Sequence, residues 1–238
     1  MKLDILAFAA HPDDVELSCA GTLIKHSRDE KKIGVVDLTQ GQLGSRGNPA
    51  LRLEEATKAA EIMGLSVRDN LGMEDGWFSH DEEHIKRIVT AIRRFQPDIV
   101  LANAKMDRHP DHGKGASLVD DACFFSGLVK VETEYEGIQQ APWRPKYVLH
   151  YIQDRPMKPD LVVDITPYFD AKMEAVMAFR SQFYDPSSEE PETPISSKSF
   201  LDFLEARARE MGRQIGVQYG EGFVVNRPLG VDSLLDLF

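Results

Sequence analysis

The sequence predicts an α/β domain: a Rossmann-like, open, mostly parallel sheet with helices on both faces. Short apolar runs recur along the chain, each followed by a segment whose apolar residues have helical spacing. Gly, Pro, Asn or Asp punctuate the joins. Two of the runs, Leu3–Ala10 and Asp98–Ala102, each lead into a His-Pro-Asp cluster. In open α/β sheets ligands bind at the C-terminal ends of strands, so the chemistry falls where this fold would put it. One domain is expected to span residues 1–238.

After the first strand, Val15 to Asp29 reads as a helix with Leu17, Ala20, Leu23 and Ile24 on one face. Lys32–Leu38 is the second strand, followed by the Gly-rich loop Thr39–Asn48. Asn48 caps a helix with Pro49 at its first position, and Gly64 stops it after Met63. Val67–Leu71 is a third strand. Asp81–Phe95 is a helix with Ile85, Ile88, Val89 and Ile92 at helical spacing. Pro97 separates it from the strand Asp98–Ala102, and Asp111–Phe125 is the helix beyond. Residues 126–146, with Pro142, Trp143 and Pro145, read as an irregular excursion. Strands at Tyr147–Ile152 and Leu161–Ile165 precede a helix from Thr166 to Arg180. The acidic, Pro/Ser-rich stretch 184–197 reads as a mobile surface loop before a last helix, Phe200–Gly216. The apolar tail 223–238 is expected to pack, on a neighbouring subunit among other places. A strand order of 3-2-1-4-5 makes the first and fourth strands neighbours whose helices leave to opposite faces. The crevice between them unites the two clusters.

Composition bounds the partners. A formal charge of −11 repels nucleic acid and anionic membranes, so neither is expected as a partner. Cys19 and Cys123 fall among apolar residues in helical segments and read as buried free thiols of a cytoplasmic protein. The N-terminal apolar run is too short and holds Asp4, so export is not expected. No Gly-x-Gly-x-x-Gly follows the first strand and no Walker A loop is present, which argues against a dinucleotide or nucleotide cofactor.

The clusters are His11-Pro12-Asp13-Asp14 and His109-Pro110-Asp111-His112. Two imidazoles and a carboxylate can hold a divalent metal and leave positions open for water. His11, Asp14 and His112 suit that role, and Asp13, not needed as a ligand, stands where it can take a proton. The bland alternative is that Asp13 and Asp14 cap a helix beside loop histidines; two such clusters at adjoining strand ends weigh against it. His26, His80 and His84 are expected to face solvent and His150 to be structural. A non-haem Fe(II) oxygenase uses the same ligand types, and a non-catalytic metal- or sugar-binding module also stays open.

The two clusters together resemble the PIG-L/LmbE superfamily of zinc-dependent N-acetylglucosamine deacetylases. The resemblance continues through Thr39-Gln40-Gly41-Gln42-Leu43-Gly44-Ser45-Arg46-Gly47, Arg52-x-x-Glu55, Leu71-Gly72-Met73-Glu74-Asp75-Gly76 and Tyr219-Gly220-Glu221-Gly222-Phe223. Size and ending look most like the bacillithiol-biosynthesis branch, which deacetylates N-acetylglucosaminyl malate; another N-acetylglucosamine conjugate or an N-acetylchitooligosaccharide is the alternative. The resemblance implies Zn2+ on His11, Asp14 and His112, with Fe2+ open to the same ligands. It implies Asp13 as general base. His109, held by Asp111, would stabilise the oxyanion or protonate the leaving amine. Arg52 and Asp75 would contact the sugar or its aglycone. Gln42 stands where relatives usually carry Glu, which alters any sugar contact there. Arg46 and Arg108 are added on chemical grounds as partners for malate carboxylates, since Arg captures carboxylate with two parallel hydrogen bonds. The partners implied are a small N-acetylated amino sugar and further copies of the chain, with a hexamer among the assemblies allowed.

Overall fold

The strand-to-helix alternation of the sequence becomes one twisted sheet in the computed structural model, which describes residues 1–237. Five strands run parallel: β1 (Ile5–Ala9), β2 (Ile33–Thr39), β3 (Val67–Met73), β4 (Ile99–Ala102) and β7 (Tyr147–Tyr151). β8 (Leu161–Asp164) and β9 (Gly220–Val225) complete it, with β9 antiparallel to both β7 and β8. The order is β3-β2-β1-β4-β7-β9-β8. The expected 3-2-1-4-5 core is therefore present. β9, which sequence reading placed in the ending motif and the apolar tail, is inserted between the last two strands. Leu229, Val231, Leu234 and Leu235 beyond it are exposed on the single chain, and Phe238 lies outside the described residues.

The side-chain alternation of the strands splits the core in two. Leu6, Phe8, Val36 and Leu38 face α3 (Glu82–Phe95) and α4 (Pro110–Phe125), packing on Ile88, Ile92, Leu118 and Val119. Ile5, Ala7, Ala9, Ile33 and Val35 face α1 (Asp14–Arg28) and α5 (Phe169–Met177), meeting Val15, Leu23, Ile24 and Ala175. Fully buried side chains such as Phe8 and Leu23 contribute roughly 1.5–3 kcal/mol each by leaving water. α2 (Pro49–Met63) starts at Asn48, whose side chain accepts the Leu51 amide, and ends at Gly64 in a left-handed conformation (φ 66°). α6 (Lys198–Gln214) packs against β9.

Two segments differ from expectation. Residues 126–146 carry a small hairpin, β5 (Glu134–Tyr135) with β6 (Ile138–Gln139). Arg93 of α3 pins that excursion by donating to the carbonyls of Ser126, Leu128 and Val131 and to the Thr133 hydroxyl. The expected Thr166–Arg180 helix opens as a 3-10 turn at Thr166–Tyr168 before α5.

α1 is broken at Cys19 (φ −140°, ψ 15°). The amides of Gly21 and Thr22 turn instead to the Glu221 carboxylate, at 3.0 and 2.7 Å. Lys172 Nζ donates to the same carboxylate at 2.6 Å and to the Leu17 carbonyl at 3.1 Å. Glu221 and Lys172 are almost wholly buried. A buried carboxylate with these donors replaces helical hydrogen bonds that the kink removes.

Candidate metal centre

β1 and β4 are adjacent, while α1 and α4 leave to opposite faces of the sheet, so a crevice opens beyond both strand ends. At its mouth Ala10 donates its amide to Asn103 Oδ1 at 2.8 Å, joining the ends of β1 and β4. The cleft holds about 220 Å3 and is lined by His11, Asp13, Asp14, Arg52, Asp75 and His112, among others.

The Asp14 carboxylate is the hub. Its Oδ2 accepts from the His11 amide at 2.9 Å and Asn103 Nδ2 at 3.0 Å. Its Oδ1 accepts from Gln153 Nε2 at 3.1 Å and lies 3.0 Å from His112 Nε2. Each histidine is set from behind. Asp107 Oδ2 is 2.5 Å from His112 Nδ1, and Asp75 Oδ1 is 3.0 Å from His11 Nε2. A carboxylate accepts only, so in the neutral rings the proton sits on those nitrogens. The other nitrogens, His11 Nδ1 at 3.7 Å from Asp14 Oδ2 and His112 Nε2, face Asp14. Burial opposes protonation, but the surrounding carboxylates raise His11 and push His112 up to about 9. Both rings are therefore protonated here, and a divalent ion would replace the protons facing Asp14. Two oriented imidazoles and a carboxylate fit a divalent cation such as zinc.

Two other groupings also converge. Ligating atoms of His11, His109 and His112 lie within 4.8 Å of one another, as do those of His11, Asp75 and Asp111. Chemistry separates the three sets. His109 Nδ1 accepts the Asp111 amide at 3.2 Å, which leaves the neutral ring's proton on Nε2, a hydrogen-bond donor rather than a ligand. Asp75 also accepts from the Leu43 amide, and Asp111 from the Gly76 amide and Lys114 Nζ. Both carboxylates lie against His11 Nε2, at 3.0 and 3.5 Å, the nitrogen opposite the one that faces Asp14. They therefore orient the ring from behind, and Lys114 brings a positive charge to Asp111.

Asp13 holds a left-handed backbone (φ 116°, ψ −24°) that a non-glycine residue adopts only under constraint. The constraint is Arg52, whose guanidinium donates to the Pro12 carbonyl at 2.5 Å and to Asp13 Oδ2 at 3.0 Å. Burial, helped by Asp14 and opposed by Arg52, pushes the Asp13 carboxyl up to about 7. Burial alone would raise Asp14 too, but His112 and His11 hold it well below the usual carboxylate range. Burial lowers His109, and the neighbouring His11 and His112 rings add to that.

Several expected residues take different places. Arg46 is buried outside the cleft, donating to Ser181 O at 2.7 Å and Ser188 Oγ at 2.9 Å, so its donors are spent on the 180–191 segment. Gln42 is exposed, bonded to Met73 O and the Gln40 amide, and does not line the cleft. Arg108 lines it but pairs with Asp154 at 2.9 Å. Arg52 faces Asp13. Asp111 holds His109 through its backbone amide, while its carboxylate serves Gly76, Lys114 and His11. Of the other histidines, His80 is exposed, and His150 is buried between the Asn103 carbonyl and Asp120.

Asn103, Gln153 and Asp107 were missed by sequence reading. Asp107 sits two residues before His109 and could have been suspected; Asn103 and Gln153 carry no signal until β4 and β7 are paired. Replacing Asn103 or Gln153 by Leu is expected to weaken metal binding about 10- to 100-fold, since such supporting hydrogen bonds typically carry that much. Competition with a chromogenic chelator measures it; unchanged affinity in both variants would contradict the support.

Residues 6–123 match the sequence profile of the PIG-L family, described as GlcNAc-PI de-N-acetylase. The crystal structure of the conserved protein TT1542 from Thermus thermophilus is 35% identical, with a TM-score of 0.86 over 98% of both chains. A diacetylchitobiose deacetylase of Thermococcus kodakarensis is 29% identical over 92% of this chain and 81% of its own. A 4-oxalmesaconate hydratase of Pseudomonas putida is 26% identical over 74% and 73%. A probable N-acetyl-alpha-D-glucosaminyl L-malate deacetylase of Bacillus anthracis is 24% identical over 75% and 81%. The chain belongs to the PIG-L family, the PIG-L/LmbE deacetylase superfamily. Two of these relatives are named deacetylases, hydrolases of amide C–N bonds, and one is named a hydratase.

Proposed function

We propose that the chain hydrolyses the acetamide of an N-acetylglucosaminide in a metal-dependent reaction, releasing acetate and the free amino sugar. N-acetylglucosaminyl malate is the first candidate substrate and an N-acetylchitooligosaccharide the second, following the relatives named for them. The observation that carries the reading is Asp13. Its carboxylate is buried and clamped by Arg52 beside the donor set, on a left-handed backbone, without being needed as a ligand.

His11, Asp14 and His112 would hold the metal, Zn2+ in the first instance with Fe2+ competing. A bound divalent ion supplies Lewis acidity, lowering the pKa of a coordinated water and polarising the acetamide carbonyl. Asp13 takes the proton of the attacking water, and Arg52 fixes its direction. A base titrating near neutrality serves both to accept a proton and to return it, so Asp13 also delivers that proton to the leaving nitrogen. The Nε2–H of His109 donates to the carbonyl oxygen as negative charge develops there. The amide on its Nδ1 supports this neutral donor role over that of a proton source.

The test is acetate and primary-amine release from N-acetylglucosaminyl malate, diacetylchitobiose and free N-acetylglucosamine. Metal-dependent release is expected, with stoichiometric acetate and amine. The hydratase relative favours one other reading, addition of water to the C=C bond of a small unsaturated acid. Hydration of 4-oxalmesaconate with no amine from any acetamide would establish it and end the deacetylase reading.

A further inference from the structure

We propose that Arg207 and Ser18 form a subsite for a carboxylate on the substrate's aglycone, and so select an anionic glycoside over a neutral one. The inference rests on the deacetylase reading above. It comes from accounting for the cations that line the cleft. Arg52 is paired with Asp13, and Arg108 with Asp154. Arg207 of α6 lines the same cleft and has no carboxylate within ion-pair distance among the described residues. Its guanidinium donates to two main-chain carbonyls, Gln153 and Leu17. Of its five N–H donors, carbonyls therefore use only some, and neither acceptor carries charge.

Arg207 is half-buried, and a ligand carboxylate in the cleft would give its free N–H donors charge-assisted hydrogen bonds. Desolvation by its surroundings lowers the Arg207 pKa, in keeping with an incompletely compensated charge.

Ser18 supplies the second, independent observation. It stands one helical turn beyond Asp14 on α1, lines the same cleft as Arg207, and is 4% exposed. Its hydroxyl has no hydrogen-bond partner among the described residues. Buried hydroxyls are ordinarily satisfied, so this one points to a missing acceptor. The kink at Cys19 turns the next part of α1 toward Glu221, and Ser18 and Arg207 line both the cleft and a small cavity on its β9 side. Arg207 thus takes the part that sequence reading gave to Arg46 and Arg108.

The experiment compares N-acetylglucosaminyl malate with diacetylchitobiose in the metal-loaded wild type, Arg207→Lys and Ser18→Ala. Calorimetric binding of glucosaminyl malate, the deacetylated product, is measured alongside because it needs no turnover. Arg207→Lys is expected to lower the ratio of kcat/KM for the malate conjugate over chitobiose at least ten-fold, mainly through KM, and to weaken product binding in step. An unchanged ratio would overturn the subsite. Should Arg207→Lys fail to fold, Ser18→Ala decides: a ratio lowered about three-fold supports the subsite, and an equal effect on both substrates overturns it. Product binding that depends on Arg207 in a protein releasing no acetate would instead contradict the deacetylase reading and keep the subsite.

Discussion

Asp13→Asn is expected to abolish turnover while leaving metal content unchanged. General bases typically contribute about 100- to 10,000-fold, so kcat should fall by that order. Asparagine keeps the size and the contact with Arg52 but cannot take a proton at neutral pH. The strained backbone at this residue (φ 116°) adds a second expectation. Asp13→Gly removes the carboxylate and relieves a conformation that costs of order 1–3 kcal/mol. It should melt at a higher temperature than Asp13→Ala, which loses the same contact with Arg52 but keeps the strained backbone, and both should be inactive. Undiminished kcat in Asp13→Asn would remove it as the base. A melting temperature in Asp13→Gly no higher than that of Asp13→Ala would deny that the backbone is under strain.

The second large effect is on stability. Lys172→Met leaves the Glu221 carboxylate buried without its cation, and breaking such a pair costs about 3–5 kcal/mol. At roughly 2–4 °C per kcal/mol for a chain of this size, thermal unfolding should drop by a readily measured margin. Glu221 would still accept from Gly21 and Thr22, so the loss is expected to be electrostatic. Adding Glu221→Gln to Lys172→Met should recover part of it. A shift of under about 2 °C in the single variant would mean that the pair contributes little and that other contacts hold the kink of α1.

How far the sequence reaches follows from what each residue depends on. α2 was legible to the residue because its signals are local: Asn48 caps it, Pro49 opens it and Gly64 closes it. The two His-Pro-Asp clusters could be joined in advance because strand order alone brings β1 and β4 together. β9 was hidden because Gly220 and Gly222 dilute strand character, and because its burial depends on β7 and β8 closing over it. The break in α1 was invisible for a related reason. Cys19 has no feature of a helix breaker, and the donors it frees are satisfied by Glu221, far away in sequence.

Roles proved harder to read than positions. His11, Asp13, Asp14, His109 and His112 meet in one cleft as expected. The arginines did not sort by proximity in sequence: Arg46 braces a loop, Arg52 clamps Asp13, and Arg207, unremarked at first, lines the cleft from α6. A guanidinium reaches far enough that its partner is set by tertiary packing. The supports of Asp14 show the same limit, since Asn103 and Gln153 matter only through the carboxylate between them.

The most direct test of the central claim is a metal titration of the chelated protein, following acetate release and bound metal together. The account predicts no release without metal, and full recovery at about one equivalent of zinc per chain, as a single three-ligand site requires. His112→Ala should neither bind that equivalent nor recover. Release that persists after complete removal of metal, or that recovers in His112→Ala, would contradict it.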